Sequence, residues 1–170
     1  METQVAILGP SDVARESEAV KNAISDMSKR TSQYGVTFTP VDWKAAFPAY
    51  RNRDPQHNID PLLSLSQIYI AVFSGKTGRE FADGITYTVH EINSAILRYK
   101  RHKFSKFAPE ILLYFRNDRR EIGASTKHEL ENAIDVLNLR MSFENQALIN
   151  IFEDENDLVR QVSEHSGNTA

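Results

Sequence analysis

Ile68-Tyr69-Ile70-Ala71-Val72-Phe73, running on through Ser74-Gly75-Lys76-Thr77-Gly78-Arg79-Glu80-Phe81-Ala82-Asp83-Gly84-Ile85-Thr86-Tyr87-Thr88-Val89-His90-Glu91, is the stretch that decides the fold. An apolar run without a polar interruption suits a strand of a parallel sheet, because crossover helices cover such a strand on both faces. The run gives way to a glycine-rich polar loop and then to a helical pattern with Thr88, Ile92, Ala95, Ile96 and Tyr99 on one stripe. Glu91 falls at the edge of that stripe. In an open α/β sheet, strand carboxyl ends and helix amino ends converge on one crevice, and ligands bind there. The stretch therefore predicts a small α/β domain that holds a nucleotide-like ligand over the loop from Ser74 to Gly84, with Glu91 as its reactive group.

On the amino-terminal side, Gln4-Val5-Ala6-Ile7-Leu8 is a short strand stopped by Gly9-Pro10, and Ser11 stands where a helix N-cap would, with Asp12 and Glu16 in the first turn. Val13, Ser17, Val20, Ile24 and Met27 recur at helical spacing, which predicts a helix to about Gln33, ended by Gly35. A second strand, Val36 to Asp42, contains Pro40 and so reads as an edge strand, since proline cannot donate to a ladder. The aperiodic stretch from Trp43 to Asn58 is long for a compact domain and reads as functional or mobile. A short helix, Ile59 to about Leu65, leads into Ile68.

On the carboxyl-terminal side the pattern predicts a fourth strand at Ile111–Phe115, a helix from Thr126 to Leu137, a fifth strand at Ala147–Phe152, and a last amphipathic segment through Leu158, Val159 and Val162. Strands alternating with helices in this way imply a three-layer α/β/α domain with a five-stranded parallel sheet and right-handed crossovers, of the flavodoxin-like order 2-1-3-4-5. Its switch point lies between the first and third strands, which would bring Gly9-Pro10-Ser11-Asp12 and Ser74 to Gly84 together. Residues 1–165 form one domain in this reading, and 166–170 a disordered tail or the start of a linker.

The chain of 170 residues has no cysteine, which excludes a disulfide framework and thiolate metal sites and fits a reducing, cytoplasmic setting. A net charge of −3 gives no reason to expect a polyanion or a membrane surface as partner. There is no secretory or spanning segment in the pattern. His57, His90, His102, His128 and His165 have no ligand spacing, so no metal is expected.

Lys76-Thr77 after Gly75 is reminiscent of a P-loop, but that motif needs glycine where Ile70 stands, and no Gly-x-Gly-x-x-Gly follows the first strand. What remains is a pair of short loops whose backbone N–H groups can hold a phosphate, with Ser74, Lys76 and Thr77 as contacts. Ser11 and Asp12 read first as cap and first-turn residues and second as ligand contacts. Thr88-Val89-His90-Glu91 also fits a capping box, in which Glu91 would only satisfy a backbone donor. A cap at Asp83 or Thr86 instead places Glu91 a turn further in. Trp43, the single tryptophan, is core filler or a stacking platform for a base or nicotinamide ring, and Asp42 at the end of its strand is a candidate for a ribose hydroxyl. The basic-aromatic run Arg98 to Phe107 reads as a solvated helix end before it reads as a contact for nucleic acid or an acidic partner.

Gly9-Pro10-Ser11-Asp12-Val13-Ala14-Arg15-Glu16, Pro40-Val41-Asp42-Trp43 and Ile59-Asp60-Pro61-Leu62-Leu63, in that order, make the chain resemble the TIR-like domain, formerly a domain of unknown function, at the N-termini of bacterial STAND-type NTPases and related immune proteins. The likeness runs from Gln4 to Val162. It implies a flavodoxin-like sheet, cleavage of the nicotinamide–ribose bond of NAD by a glutamate at the place of Glu91, and a role in antiviral defence. It also implies self-association, with the stretch from Lys44 to Asn58 as the BB loop and possible attachment to a sensor. NAD enters as substrate, and no cofactor is implied. Tyr87 stands where the family usually has a small residue or cysteine, and so bears on the shape of the substrate pocket. The helix start from Asp83 through Ala95 is also similar to nucleoside 2-deoxyribosyltransferases, which use a glutamate on another N-glycoside. The alternatives are thus a non-catalytic signalling module and a deoxyribosyltransferase-like enzyme.

Overall fold

The computed structural model describes residues 2–41, 63–82, 84–117, 126–144 and 148–167. Strand β1 (Glu2–Leu8) leads through a 3-10 turn at Ser11–Val13 into helix α1 (Ala14–Thr31). A second 3-10 turn ends at Gly35, whose φ of 77° is left-handed and cheap only for glycine, and the chain enters β2 (Thr37–Pro40). Next come β3 (Ile68–Phe73), a hairpin of β4 (Glu80–Ala82) and β5 (Ile85–Thr86), and helix α2 (Tyr87–His102). The chain closes with β6 (Glu110–Arg116), α3 (Lys127–Glu144), β7 (Asn150–Phe152) and α4 (Glu155–Gly167).

Five strands pair in parallel in the order β2-β1-β3-β6-β7, which is the flavodoxin-like 2-1-3-4-5 order with the separate hairpin set aside. Every residue of β3 is buried. Ile68, Ile70 and Val72 face Val20 and Ile24 of α1 and Leu158 and Val162 of α4, whereas Tyr69, Ala71 and Phe73 face Ile92 and Ala95 of α2 and Phe143 of α3. The two-residue period thus feeds both cores, and each large aliphatic side chain so buried contributes roughly 1.5–3 kcal/mol. β2 is an edge strand, with Pro40 opposite Val5 at its end.

Several boundaries differ from the sequence reading. Ser11 does not cap α1 through its side chain; it opens the 3-10 turn, which is closed by Val13 N–H donating to the Pro10 carbonyl at 3.1 Å. α3 runs to Glu144 rather than Leu137, because its later apolar residues Leu139 and Phe143 still meet the sheet. β7 begins only at Asn150. α4 continues through Gly167 with Ser166 1% exposed, so the chain is helical past the expected start of the tail. Tyr99, placed on the apolar stripe of α2, is 45% exposed in the last turn but one of the helix. The β4–β5 hairpin is too short to leave a periodicity.

At the carboxyl edge of the sheet, Glu16 of α1 pairs with Arg116 of β6 at 3.0 Å, with side chains 8% and 23% exposed. In the core between β6 and α4, Tyr114 Oη and His165 Nδ1 share a 2.7 Å hydrogen bond, and burial drives the Tyr114 pKa upward. Burial also raises the pKa of Glu110, against a smaller opposing pull from His165.

Removing one partner of a desolvated pair costs more than removing both. Arg116→Met should therefore lower the urea-unfolding free energy by about 2–4 kcal/mol, and adding Glu16→Gln should restore a large part of that loss. A raised carboxyl pKa is a stability cost at pH values above it. Glu110→Gln should thus be more stable than the parent at pH 7, and the gain should vanish as pH falls through the ordinary glutamate value of 4.5 in a pH-dependent melting series.

Candidate functional site

The loop after β1 and the loop after β3 meet at the switch point, and three observations explain how. Asp12 Oδ2 accepts the Gly75 N–H at 2.8 Å, so Asp12 ties one loop to the other. A Cβ on Gly9 would stand 2.7 Å from Val13 Cγ2 and 3.2 Å from the Val72 carbonyl oxygen, so only glycine lets the first loop lie so close to the end of β3. Gly78 has φ of 117°, and a Cβ there would meet Thr88 Oγ1 at 3.3 Å, Pro10 Cβ at 3.5 Å and Thr86 Cβ at 3.6 Å. Three segments converge on that point. Thr86 adds a 2.7 Å hydrogen bond to the Thr77 carbonyl, and the Tyr87 N–H donates to the Arg79 carbonyl at 3.0 Å.

These contacts wall a cleft of about 720 Å³ lined by Ser11, Lys76 to Glu80, Gly84 to Thr86 and Val89 on one side, and by His128, Asn132, Asp135, Asn138 and Leu139 of α3 on the other. The volume is in the range of small-molecule sites. Lys76 and Arg79 have no ion-pair partner among the described residues. They supply positive charge, and Asp135 with the two asparagines supplies groups suited to hydroxyls or a base. Glu80 is engaged in the hairpin, where its Oε1 accepts the Gly84 N–H at 3.2 Å.

Glu91 stands elsewhere. Thr86 holds the N-cap position of α2, so Glu91 lies in the second turn and Thr88, buried at 5% exposure, is inside the helix. The capping-box frame therefore does not form here. It forms at the start of α3, where the Thr126 N–H donates to Glu129 Oε2 at 2.9 Å and the Glu129 N–H to Thr126 Oγ1 at 3.3 Å. Val89 and Glu91 are about 200° apart around the helix. Val89 accordingly lines the large cleft, while Glu91 lines a smaller cavity of about 60 Å³ with Leu63, Ser64, Tyr69, Ser94, Ala95 and Arg98.

That smaller cavity has a braced floor. The Tyr69 hydroxyl donates to the Leu63 carbonyl and accepts from Arg98 Nη1 at 3.3 Å, while Arg98 also donates to the Ser66 carbonyl at 2.5 Å. Burial raises the Tyr69 pKa and outweighs the opposing effect of Arg98, so Tyr69 stays a neutral phenol. Leu63 and Ser64 are the first described residues after 42–62.

No protein-family model and no curated protein sequence matches the chain. Among solved structures, a crystal structure of the RPS4 and RRS1 TIR domain heterodimer aligns with a TM-score of 0.48 and 10% sequence identity, covering 99% of this chain and 98% of that one. A crystal structure of an NADPH-quinone reductase from P. pentosaceus aligns with a TM-score of 0.45 and 13% identity over 100% of both chains. Neither likeness says what this chain binds.

Of the residues singled out in the sequence, Ser11, Lys76 and Thr77 line the large cleft, and Glu91 lines the small one. Gly9, Pro10 and Asp12 shape the loop junction, and Ser74 and Tyr87, both half-buried, line neither cavity. Asp42 and Trp43, with the rest of the long loop, lie outside the described residues. The sequence reading missed Arg79 and the polar stripe of α3. Its signal was present as His128, Asn132, Asp135 and Asn138 at spacings of four, three and three, but a helix stopped at Leu137 omits the last of them.

Asp12→Ala should speed amide hydrogen exchange at Gly75 far more than at Ile70, whose protection should fall only by the loss in global stability. Losing this exposed charge-assisted bond should cost at most about 1 kcal/mol in global stability.

Proposed function

We propose that this chain is a TIR-like effector domain that cleaves the nicotinamide N-glycosidic bond of NAD on self-association, in the setting of bacterial antiviral defence. The supporting observation is the helical phase of α2. Because Thr86 takes the N-cap, Glu91 is not spent on a capping box; it lines a cavity beside Tyr69 and Arg98, at the place where the family resemblance puts the reactive carboxylate.

The chemistry needs one carboxylate. The pyridinium nitrogen leaves with the electron pair of its bond to C1′ as neutral nicotinamide, so no general acid is required. Glu91 stabilises the positive charge that develops on the ribose ring or bonds transiently to C1′. Water then adds to C1′ and releases a proton, giving ADP-ribose. Self-association is assigned to the outer face of α3, where Leu130, Ile134, Leu137 and Met141 are 37%, 54%, 54% and 61% exposed on one stripe of the same helix that walls the cleft.

A second reading rests on the separation of Glu91 from the large cleft. There the chain is a non-catalytic signalling module whose 720 Å³ cleft holds a nucleotide, with its phosphates on Lys76 and Arg79. A deoxyribosyltransferase-like enzyme acting through Glu91 on free nucleosides is the third.

The deciding assay is nicotinamide release from NAD by the purified protein and by Glu91→Gln, at high protein concentration with a crowding agent and with assembly followed by light scattering. The effector reading expects release by the parent and a loss of at least roughly a hundredfold in the variant. Calorimetric binding of NAD without release, in an assembled sample and sensitive to Lys76→Ala, would move the conclusion to the signalling module. Base exchange on deoxynucleosides with NAD left intact would move it to the transferase.

A further inference from the structure

We infer that the turn joining α2 to β6 is a docking site for an anionic lipid bilayer surface. The segment Arg98-Tyr99-Lys100-Arg101-His102-Lys103-Phe104-Ser105-Lys106-Phe107 holds five of the chain's 20 Lys and Arg residues and no Asp or Glu. Subtracting that +5 from the chain's −3 leaves −8 for everything else, so the positive charge is concentrated here. Lys100, Arg101, Lys103 and Lys106 have no carboxylate partner among the described residues. Arg98 is turned inward to the Ser66 carbonyl and the Tyr69 hydroxyl and fixes the helix end to the sheet.

Two phenylalanines crown this charge. Phe104 is 93% and Phe107 63% exposed, on a turn closed by Ser105 N–H to the His102 carbonyl at 2.8 Å, Phe107 N–H to Ser105 Oγ at 3.2 Å and Ala108 N–H to the Ser105 carbonyl at 3.1 Å. Lys103 Nζ lies 4.8 Å from the Phe104 ring centre and Lys106 Nζ 5.4 Å from that of Phe107. Each ring is thus paired with an ammonium that can rise to the headgroups as the ring enters the acyl boundary. A side chain exposed to 93% stands on a convex tip. Single-stranded nucleic acid is held in grooves along which successive bases stack, whereas a lipid surface receives a projecting apolar tip ringed by cations.

The whole-chain charge gives no reason to expect a membrane surface as partner, and the inference rests on the local arrangement instead. At physiological ionic strength the screening length is about 8 Å, so a bilayer senses the charges of this turn and not the balance of the molecule. Separately, no described helix is long and apolar enough to cross a membrane. The turn precedes Glu110, which pairs with Ile68 at the amino ends of β6 and β3, so it lies at the edge of the sheet opposite the cleft. A docked molecule would keep the cleft toward bulk solvent.

Co-sedimentation with phosphatidylcholine vesicles containing roughly 30 mol % phosphatidylglycerol, compared with phosphatidylcholine alone, tests the site directly and independently of any NAD chemistry. The expected result is binding to the anionic vesicles only, weakened about fivefold for each lysine neutralised among Lys100, Lys103 and Lys106, and weakened again by Phe104→Ser with Phe107→Ser. All these positions are exposed, and circular dichroism checks that the variants keep the parent fold. Equal binding by the parent and the multiply substituted variants, no binding to anionic vesicles near 0.1 M salt, or displacement from vesicles by oligo(dT) would each overturn the inference.

Discussion

Six consecutive apolar residues, Ile68 to Phe73, leave water only if both faces of their strand are covered, and the rest of the molecule answers that requirement. β1 and β6 pair with the two edges of β3, α1 and α4 cover the face of Ile68, Ile70 and Val72, and α2 and α3 cover the face of Tyr69, Ala71 and Phe73. Parallel pairing needs crossover helices, and the crossovers deliver the two faces of cover. Where the constraint relaxes, so does the structure. At the edge, β2 accepts Pro40, and β7 shrinks to three residues.

The same constraint places the candidate site. A central strand flanked by β1 on one side and β6 on the other creates a switch point at its carboxyl end, and the loops leaving β1 and β3 must then share a small volume. Gly9 and Gly78 allow the approach, and Asp12 fastens it through Gly75. Loop residues that looked like ligand contacts in the sequence therefore divide into two kinds. Gly9, Pro10 and Asp12 build the junction, whereas Ser11, Lys76 and Thr77 face the cleft it creates.

Helical phase decides the chemistry near Glu91. Moving the start of α2 by two residues would exchange a capping carboxylate for one facing a cavity, and Thr86 rather than Thr88 holds the cap position. Thr86 is held there by tertiary contacts, with its hydroxyl on the Thr77 carbonyl and the following Tyr87 N–H on the Arg79 carbonyl. The hairpin β4–β5 is thus a phasing device for the helix as much as a wall of the cleft. α3 shows a related division, with a polar stripe to the cleft, an apolar stripe to the sheet through Val136, Leu139 and Phe143, and a second apolar stripe to solvent.

Strand and helix types, the parallel class, the edge position of β2 and the meeting of the first and third loops were legible in the residues alone, because they follow from local periodicity, from proline's missing donor and from the connection rules of parallel sheets. Boundaries such as the ends of α3 and α4 were not, because Phe143 owes its place to packing against the sheet, and Ser166 is buried by the tertiary structure rather than placed by local propensity. Composition likewise marked Lys76, Thr77 and Glu91 as notable polar residues near one helix start. Only the tertiary structure decided that Lys76 and Thr77 share a cavity with Val89 while Glu91 lines another, since Val89 and Glu91, two positions apart on a helix, diverge by more than a right angle and the start of that helix is fixed by the Thr86 and Tyr87 contacts to the preceding loop.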